Sequence, residues 1–329
     1  MSAPLALLAD IGGTNARFAL ADLDGAHPLH ADSVRSFEVA HFESLAAAAQ
    51  RYLEDVAADR SAIATGVFAL AGRIDGDAAR ITNHTWTISR RDTQAALGLP
   101  QLAMVNDFAA QAMAIELLGP QDLVSIGGLP WQRSSAPART YAVIGPGTGL
   151  GVGALIVRDG RAFALETEGG HVSFAPGNDE ESHLLERMRD RFGRVSNERL
   201  VCGAGLVNIH RALCEMAGDP PPELQPQDVT AGGLAGDARC RHAVEVFCAV
   251  FGAIAGDLAL TLGAWEGVFL TGGLVPKMLA ELQASAFRRR FEAKGRFAGA
   301  MAHVPTVAVL HPQAGLLGAA AFARQDAGA

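Results

Sequence analysis

The sequence predicts a two-domain α/β protein built on a duplicated three-stranded meander. Three observations carry that expectation. Residues 5–25 and 140–160 read alike, each an apolar run, a Gly-rich turn, a second apolar run and a closing Asp-Gly. Short apolar strands alternate with helical patterns between and after them. The length, 329 residues, corresponds to roughly two domains of about 150 residues.

The first meander comprises LALLAD, the turn Ile11-Gly12-Gly13-Thr14-Asn15, the run ARFALADL and the turn Asp24-Gly25. Residues 44–60 (SLAAAAQRYLEDVAADR) follow as a helix, with Leu45, Ala49, Tyr52, Leu53 and Val56 on one face. TGVFALAG (65–72) and LAMVND (102–107) read as short buried strands, and FAAQAMAIELL (108–118) as a helix. Residues 120–139 read as loop, with a domain boundary near their start. The second meander, TYAVIGPGTGLGVGALIVRDG, aligns with the first at an ungapped offset of 135, pairing Gly12 with Gly147, Ala19 with Ala154, Leu20 with Leu155, Asp24 with Asp159 and Gly25 with Gly160. Two related halves explain the match; independent convergence of Gly-rich hairpins is the alternative. Residues 217–237 read as a loop-rich surface excursion. Val244, Phe247, Phe251, Ile254, Leu258 and Leu262 recur at helical spacing and predict a buried helix. GVFLTGG (267–273) reads as a late strand and the tail as a closing helix. The expected domains are 1–117 with 308–329, and 118–307.

Composition limits function. The formal net charge of −8 argues against nucleic acid and anionic membrane as partners. Only Lys277 and Lys294 are lysines, and neither follows a glycine, so no Walker A loop exists. Cys202, Cys214, Cys240 and Cys248 form no C-x-x-C cluster, which points away from a structural zinc site. The stretch 247–270 is interrupted by Asp257 and Glu266, so no membrane span is read. The N-terminus lacks the pattern of a signal peptide, and a cytoplasmic protein is expected.

Four constellations carry possible chemistry. Asp10 through Asn15 is either a phosphate cradle, with glycines admitting close backbone approach, or a hairpin turn; its echo at Gly147-Thr148-Gly149 favours the cradle. Gly149 to Ala154 fits the G-x-G-x-x-A pattern, but continues as a strand rather than opening a helix, against a dinucleotide fold. Asn106-Asp107 at a strand end is either a base for phosphoryl transfer or a helix cap. Glu168 and His171, three apart across two glycines, offer an acceptor and a donor to a polyol, or are surface groups beside a turn. Glu198 by itself reads as a helix-surface acid, and Arg288-Arg289-Arg290 as a solvated helix face.

LLADIGGTNARFAL, ITNHTW (81–86), VNDF (105–108), IGPGTGLG (144–151), TEGGHVSF (167–174), SNERLVCGAGL (196–206), LTGG (270–273) and GLLGAA span nearly the whole chain. In that order they resemble the bacterial glucokinases lacking a zinc motif, a branch of the hexokinase–actin-like sugar kinases. The resemblance implies an actin-like ATPase (ribonuclease H-like) fold with the active site in the interdomain cleft. It implies ATP-dependent phosphorylation of D-glucose on its 6-hydroxyl, with Asp107 as base. Asn106, Glu168, His171 and Glu198 would bind the other hydroxyls. Gly12, Gly13, Thr14 and Asn15, with Gly147, Thr148 and Gly149, would hold the ATP phosphates, and Gly272 and Gly273 the adenosine. Asp10 would sit near Mg²⁺ through water, and the assembly would be a homodimer. Another hexose, polyphosphate as donor, or a non-catalytic sugar-sensing regulator are the competing functions. Arg73, where many relatives have Pro, and Ala204, within CGAGL, depart from the family pattern without removing a chemical group.

Overall fold

A computed structural model describes residues 4–25, 27–81 and 84–327. Met1–Ala3 of the sequence-read N-terminus, and Thr82 and Asn83 of ITNHTW, lie outside the described residues. The chain divides into two compact units, one of residues 1–119, 162–166 and 311–329, the other of 120–161 and 167–310.

In the first unit, β1 (Leu5–Ile11) and β2 (Asn15–Asp22) form an antiparallel hairpin, and β3 (Arg35–Glu38) follows. α1 (Leu45–Asp55) begins at Ser44, whose hydroxyl accepts from the Ala47 amide, and ends five residues before the sequence pattern does. β4 (Ile63–Leu70) leads to a small sheet of β5 (Ile74–Asp75), β6 (Ala78–Arg80) and β7 (Thr87–Ser89). α2 (Arg90–Leu97), β8 (Leu102–Asn106) and α3 (Asp107–Met113) complete this part. The main sheet runs β3-β2-β1-β4-β8, with β1, β4 and β8 parallel. β1 and β4 read as continuous apolar runs because both of their faces are covered. Leu7, Ala9 and Ile11 pack toward Tyr52 and Leu53 of α1, while Ala6 and Leu8 pack toward Leu316 and Ala320 near the C-terminus.

The second unit begins with β9 (Leu123–Ser125), a strand inside the segment read as loop. β10 (Ala138–Pro146), β11 (Leu150–Arg158) and β12 (Arg161–Thr167) form the second meander, residues 162–166 of β12 counting with the first unit. α4 (Asp179–Phe192), α5 (Gly203–Ala217), α6 (Pro226–Leu234) and α7 (Ala238–Leu262) follow. Then come β13 (Val268–Leu270), α8 (Leu279–Ala284), α9 (Phe287–Glu292), α10 (Ala298–Met301) and β14 (Thr306–Val309). The sheet order is β12-β11-β10-β13-β14-β9, with β10, β13 and β14 parallel. The last helix, α11 (Ala314–Ala327), belongs to the first unit.

Both sheets therefore place the third, second and first strands of a meander beside two further parallel strands, which is the duplication the sequence predicts. The ungapped offset does not survive. Ile11 stands opposite Ala16, whereas Pro146 stands opposite Leu150, so the second hairpin is one residue shorter. A constant offset of 135 cannot hold along both strands, since a one-residue slip moves side chains to the other face. The two Asp-Gly pairs also differ. Asp159 and Gly160 form a tight turn with φ of 50° and 79°. After Asp24-Gly25 the chain instead makes a detour and reaches β3 only at Arg35.

Two further expectations are corrected. The segment 217–237 contains α6, started by a reciprocal cap between Gln225 and Asp228 with Pro226 in the first turn. Its glycines do not mark a loop; a β carbon at Gly232 would stand 2.8 Å from Cys240 Sγ, so they serve close packing on α7. The three consecutive arginines are not a solvated face. Arg288 pairs with Glu292 at 2.6 Å and donates to the Val304, Met301 and Ala302 carbonyls, and Arg290 meets buried Glu181 at 2.9 Å. Only Arg289 of the three is exposed. α7 is long and apolar enough to cross a membrane by length and composition, but about 67% of its most apolar window is buried inside the protein.

Candidate active site

Asp10 is the next-to-last residue of β1, and a turn closes immediately after it. The Gly12 N–H donates to Asn15 O at 2.9 Å, fixing the loop. Gly12 therefore shapes the cradle rather than donating into it. Among the described residues, the Gly13 and Thr14 amides have no hydrogen-bond acceptor within the protein, and Thr14 and Asn15 are exposed. Burial pushes the Asp10 carboxyl above the usual carboxylate range, opposed by the Arg17 guanidinium at 3.4 Å. On its other side lies Gly315 of α11, where a β carbon would stand 2.8 Å from the Asp10 carboxyl.

Asn106 and Asp107 end β8 and begin α3. Ile11, Leu70 and Asn106 lie in one row across β1, β4 and β8, because the three parallel strands end together. Two strand spacings put Asn106 about 10 Å from Ile11. The carboxyl ends of parallel strands are where open α/β sheets bind ligands. Asn106 is the helix cap: its Oδ1 accepts from the Phe108 amide at 2.9 Å and from the Ala109 amide at 3.2 Å. Its Nδ2 donates to Gly72 O at 3.4 Å. Asp107 occupies the first helical turn, where the helix dipole favours a carboxylate, and its Oδ1 accepts from the Phe108 amide at 3.0 Å. Two further residues join this group. Glu166 Oε1 accepts from the Asn106 amide at 3.4 Å, and Arg17 steadies Asp10. Arg17 could have been found from the turn alone, since it lies opposite Asp10 in a two-stranded register.

The second unit carries the matching turn. The Gly147 N–H donates to Gly149 O at 2.8 Å, as Gly12 does in the first hairpin, and Gly147 O accepts from the Gly203 amide that starts α5 at 2.9 Å. Gly272, with φ of 84°, and Gly145 let the loop after β13 lie directly on this strand; a β carbon at Gly272 would stand 2.6 Å from Pro146 O. By contrast, side chains at Gly147 or Gly273 would meet nothing within 4 Å, so internal packing does not account for glycine there.

Glu198 links that turn to the Glu168–His171 segment. Its Oε2 accepts from the Leu150 amide at 2.9 Å, and its Oε1 lies 4.0 Å from His171 Nδ1. Glu198 thus is not the plain surface acid its local sequence suggests. Thr167 Oγ1 donates to Val152 O and accepts from the Gly169 amide, which holds the loop against β11. Gly169–His171 is a single 3-10 turn, and Glu168 and His171 are exposed. Arg194 donates to His171 O at 2.6 Å, a support with no sequence signal. Arg73 follows β4, and Ala204 sits in the first turn of α5 rather than on a loop.

Fold and residues together define a kinase of the actin-like ATPase class. The family model for glucokinase matches residues 7–326. The glucokinase of Stenotrophomonas maltophilia (strain K279a) is 64% identical over 318 residues, covering 96% of this chain and 94% of that protein. That of Xanthomonas euvesicatoria pv. vesicatoria (strain 85-10) is 62% identical over the same length and coverage. A crystal structure of glucokinase from an Antarctic psychrotroph matches with a TM-score of 0.86 at 33% identity, covering 97% of this chain and 98% of that one. The chain belongs to the glucokinase family.

Proposed function

We propose that this chain transfers the γ-phosphoryl group of ATP to the 6-hydroxyl of D-glucose, giving ADP and glucose 6-phosphate. The observation that carries this reading is the shared strand edge, which sets the Gly-Gly-Thr turn and Asp10 about 10 Å from the Asn106-Asp107 pair. That spacing leaves room for a phosphoryl group between a phosphate cradle and a base.

In this reading Asp107 accepts the hydroxyl proton as the new O–P bond forms and the bond to ADP breaks. Asn106, Glu168, His171 and Glu198 hydrogen-bond the remaining sugar hydroxyls. The amides of Gly13 and Thr14, and those of Thr148 and Gly149, face the phosphates, and Gly272 and Gly273 the adenosine. No lysine follows a glycine, so amide dipoles replace a Walker lysine. Asp10 suits Mg²⁺: it offers hard oxygen donors, its ionised form lacks solvation, and Gly315 leaves its carboxyl clear. Asp10 would hold Mg²⁺, which when bound would supply positive charge against that of the phosphates. The chain's own part is to hold Asp10 in place through Arg17. The resemblance also supports a cytoplasmic homodimer.

A coupled assay over a hexose panel, with Mg·ATP and separately with polyphosphate, tests the proposal. Glucose with ATP is expected to give the highest kcat/KM. A different best sugar, polyphosphate preference, or glucose binding without turnover would each replace this reading with one of its competitors.

A further inference from the structure

Far along α5 from the phosphate turn lies a cluster that the phosphotransferase chemistry does not use. His210 and Cys214 stand one helical turn apart on α5, with Cys214 Sγ 3.9 Å from His210 Nδ1. Asp237 caps α7 and Cys240 follows in its first turn, where Asp237 Oδ1 accepts from the Cys240 amide at 2.7 Å. One ligand atom from each of His210, Asp237 and Cys240 lies within 4.8 Å of the others, the only such group of three or more among the described residues. We propose that His210, Asp237 and Cys240, with Cys214 as fourth donor, form a binding site for a soft divalent cation of the zinc class.

The donor set fits that chemistry. Two sulfurs, one imidazole and one carboxylate complete a tetrahedron, whose ligand atoms stand roughly 3.3–3.8 Å apart at usual zinc bond lengths. His210, Asp237 and Cys240, whose ligand atoms lie within 4.8 Å of one another, must close by up to about 1 Å to reach that spacing, and Cys214 Sγ already stands 3.9 Å from His210 Nδ1. The surroundings are built to admit an ion. Gly232 leaves the Cys240 sulfur clear, since a β carbon there would stand 2.8 Å from it. Asp237 also lines a surface cavity of about 570 Å³ with Leu213, Ala238, Arg239 and His242, which gives an entry path. The Arg239 guanidinium lies against Cys214 and holds Asp219 at 2.8 Å, supplying positive charge beside a site that binding would leave with net charge −1. Burial pushes the His210 imidazole below its ordinary value, which favours the neutral form that ligates a metal. It pushes the Cys240 thiol up to about 11, so the ion must displace its proton. Binding releases one proton from each cysteine and ties α5 to α7.

The donors are spaced H-x3-C on one helix and D-x2-C at the start of another, with no C-x-x-C pair.

The test uses the full chain stripped with chelator, then titrated with Zn²⁺ against a chromophoric competitor and, separately, with Co²⁺. The expected result is one ion per chain, with a thiolate-to-cobalt charge-transfer band and release of two protons. Cys240→Ser and His210→Gln are each expected to weaken Zn²⁺ binding by at least about tenfold. Absence of the cobalt band in the unmutated chain overturns the proposal, and that measurement does not depend on any variant folding. Unchanged Zn²⁺ affinity in a folded Cys240→Ser chain overturns it too.

Discussion

Asp10 is held where its charge is expensive, and that cost has a sign. Its carboxyl titrates above its unfolded value because burial disfavours the charged form more than Arg17 restores it. Stability from the protonated group is present below the unfolded pKa and is lost as pH rises through the folded one, so at neutral pH the ionised side chain destabilises the fold. Asp10→Asn is therefore expected to raise Tm in the absence of Mg·ATP while lowering turnover by at least about 100-fold. It is also expected to lose the Tm increase that Mg·ATP gives the unmutated chain. Thermal unfolding with and without Mg·ATP checks this, and a lower Tm in the variant would contradict it. The adjacent pair Asn106-Asp107 shows what sequence leaves open at this scale. Both types cap helices, and a strand followed by a helix offers one cap position. Only the structure shows that Asn106 Oδ1 takes it, which separates the cap from the proposed base. Glu198 was harder still, because its partners Leu150 and His171 are 48 and 27 positions away in sequence.

At the scale of elements, apolar periodicity was enough for β1, β4, β8, α7 and α11, whose apolar residues pack into the cores. It was not enough for α6, where Gly232 and Gly233 look like a loop until α7 is packed against them. Charge likewise misled at Arg288 and Arg290, whose partners lie on distant segments. Helix packing also positions the proposed base. α11 crosses α3 so closely that a β carbon at Gly318 would clash with the Ala110 backbone. Gly318→Val is expected to destabilise the protein by about 1–3 kcal/mol, the usual range for overpacking. Because α3 begins at Asp107, turnover is expected to fall by more than the loss of folded protein explains. Denaturant unfolding with assays on the folded fraction measures both; wild-type stability would refute the close-packing argument.

Across the whole molecule, the duplication was the most legible feature, since two turns of similar chemistry recur with similar strands around them. What the sequence could not show was register. The one-residue difference between hairpins leaves identities in place while changing which face they occupy. The glycine excess, 37 where average usage gives about 23, divides between two causes. Some glycines serve close packing of the chain on itself, as at Gly232, Gly272 and Gly318. Others, as at Gly147 and Gly273, face open space and fit approach by a ligand. The scarcity of lysine has its counterpart in turns whose amides remain available. The proposed reaction is phosphoryl transfer with Asp107 as base. The most direct test is steady-state turnover of Asp107→Asn with glucose and Mg·ATP, alongside its thermal unfolding. The account predicts a loss of at least about 100-fold in kcat with Tm within a few degrees of the unmutated chain, because Asn106 keeps the helix cap. Turnover near that of the unmutated chain in the folded variant would contradict it.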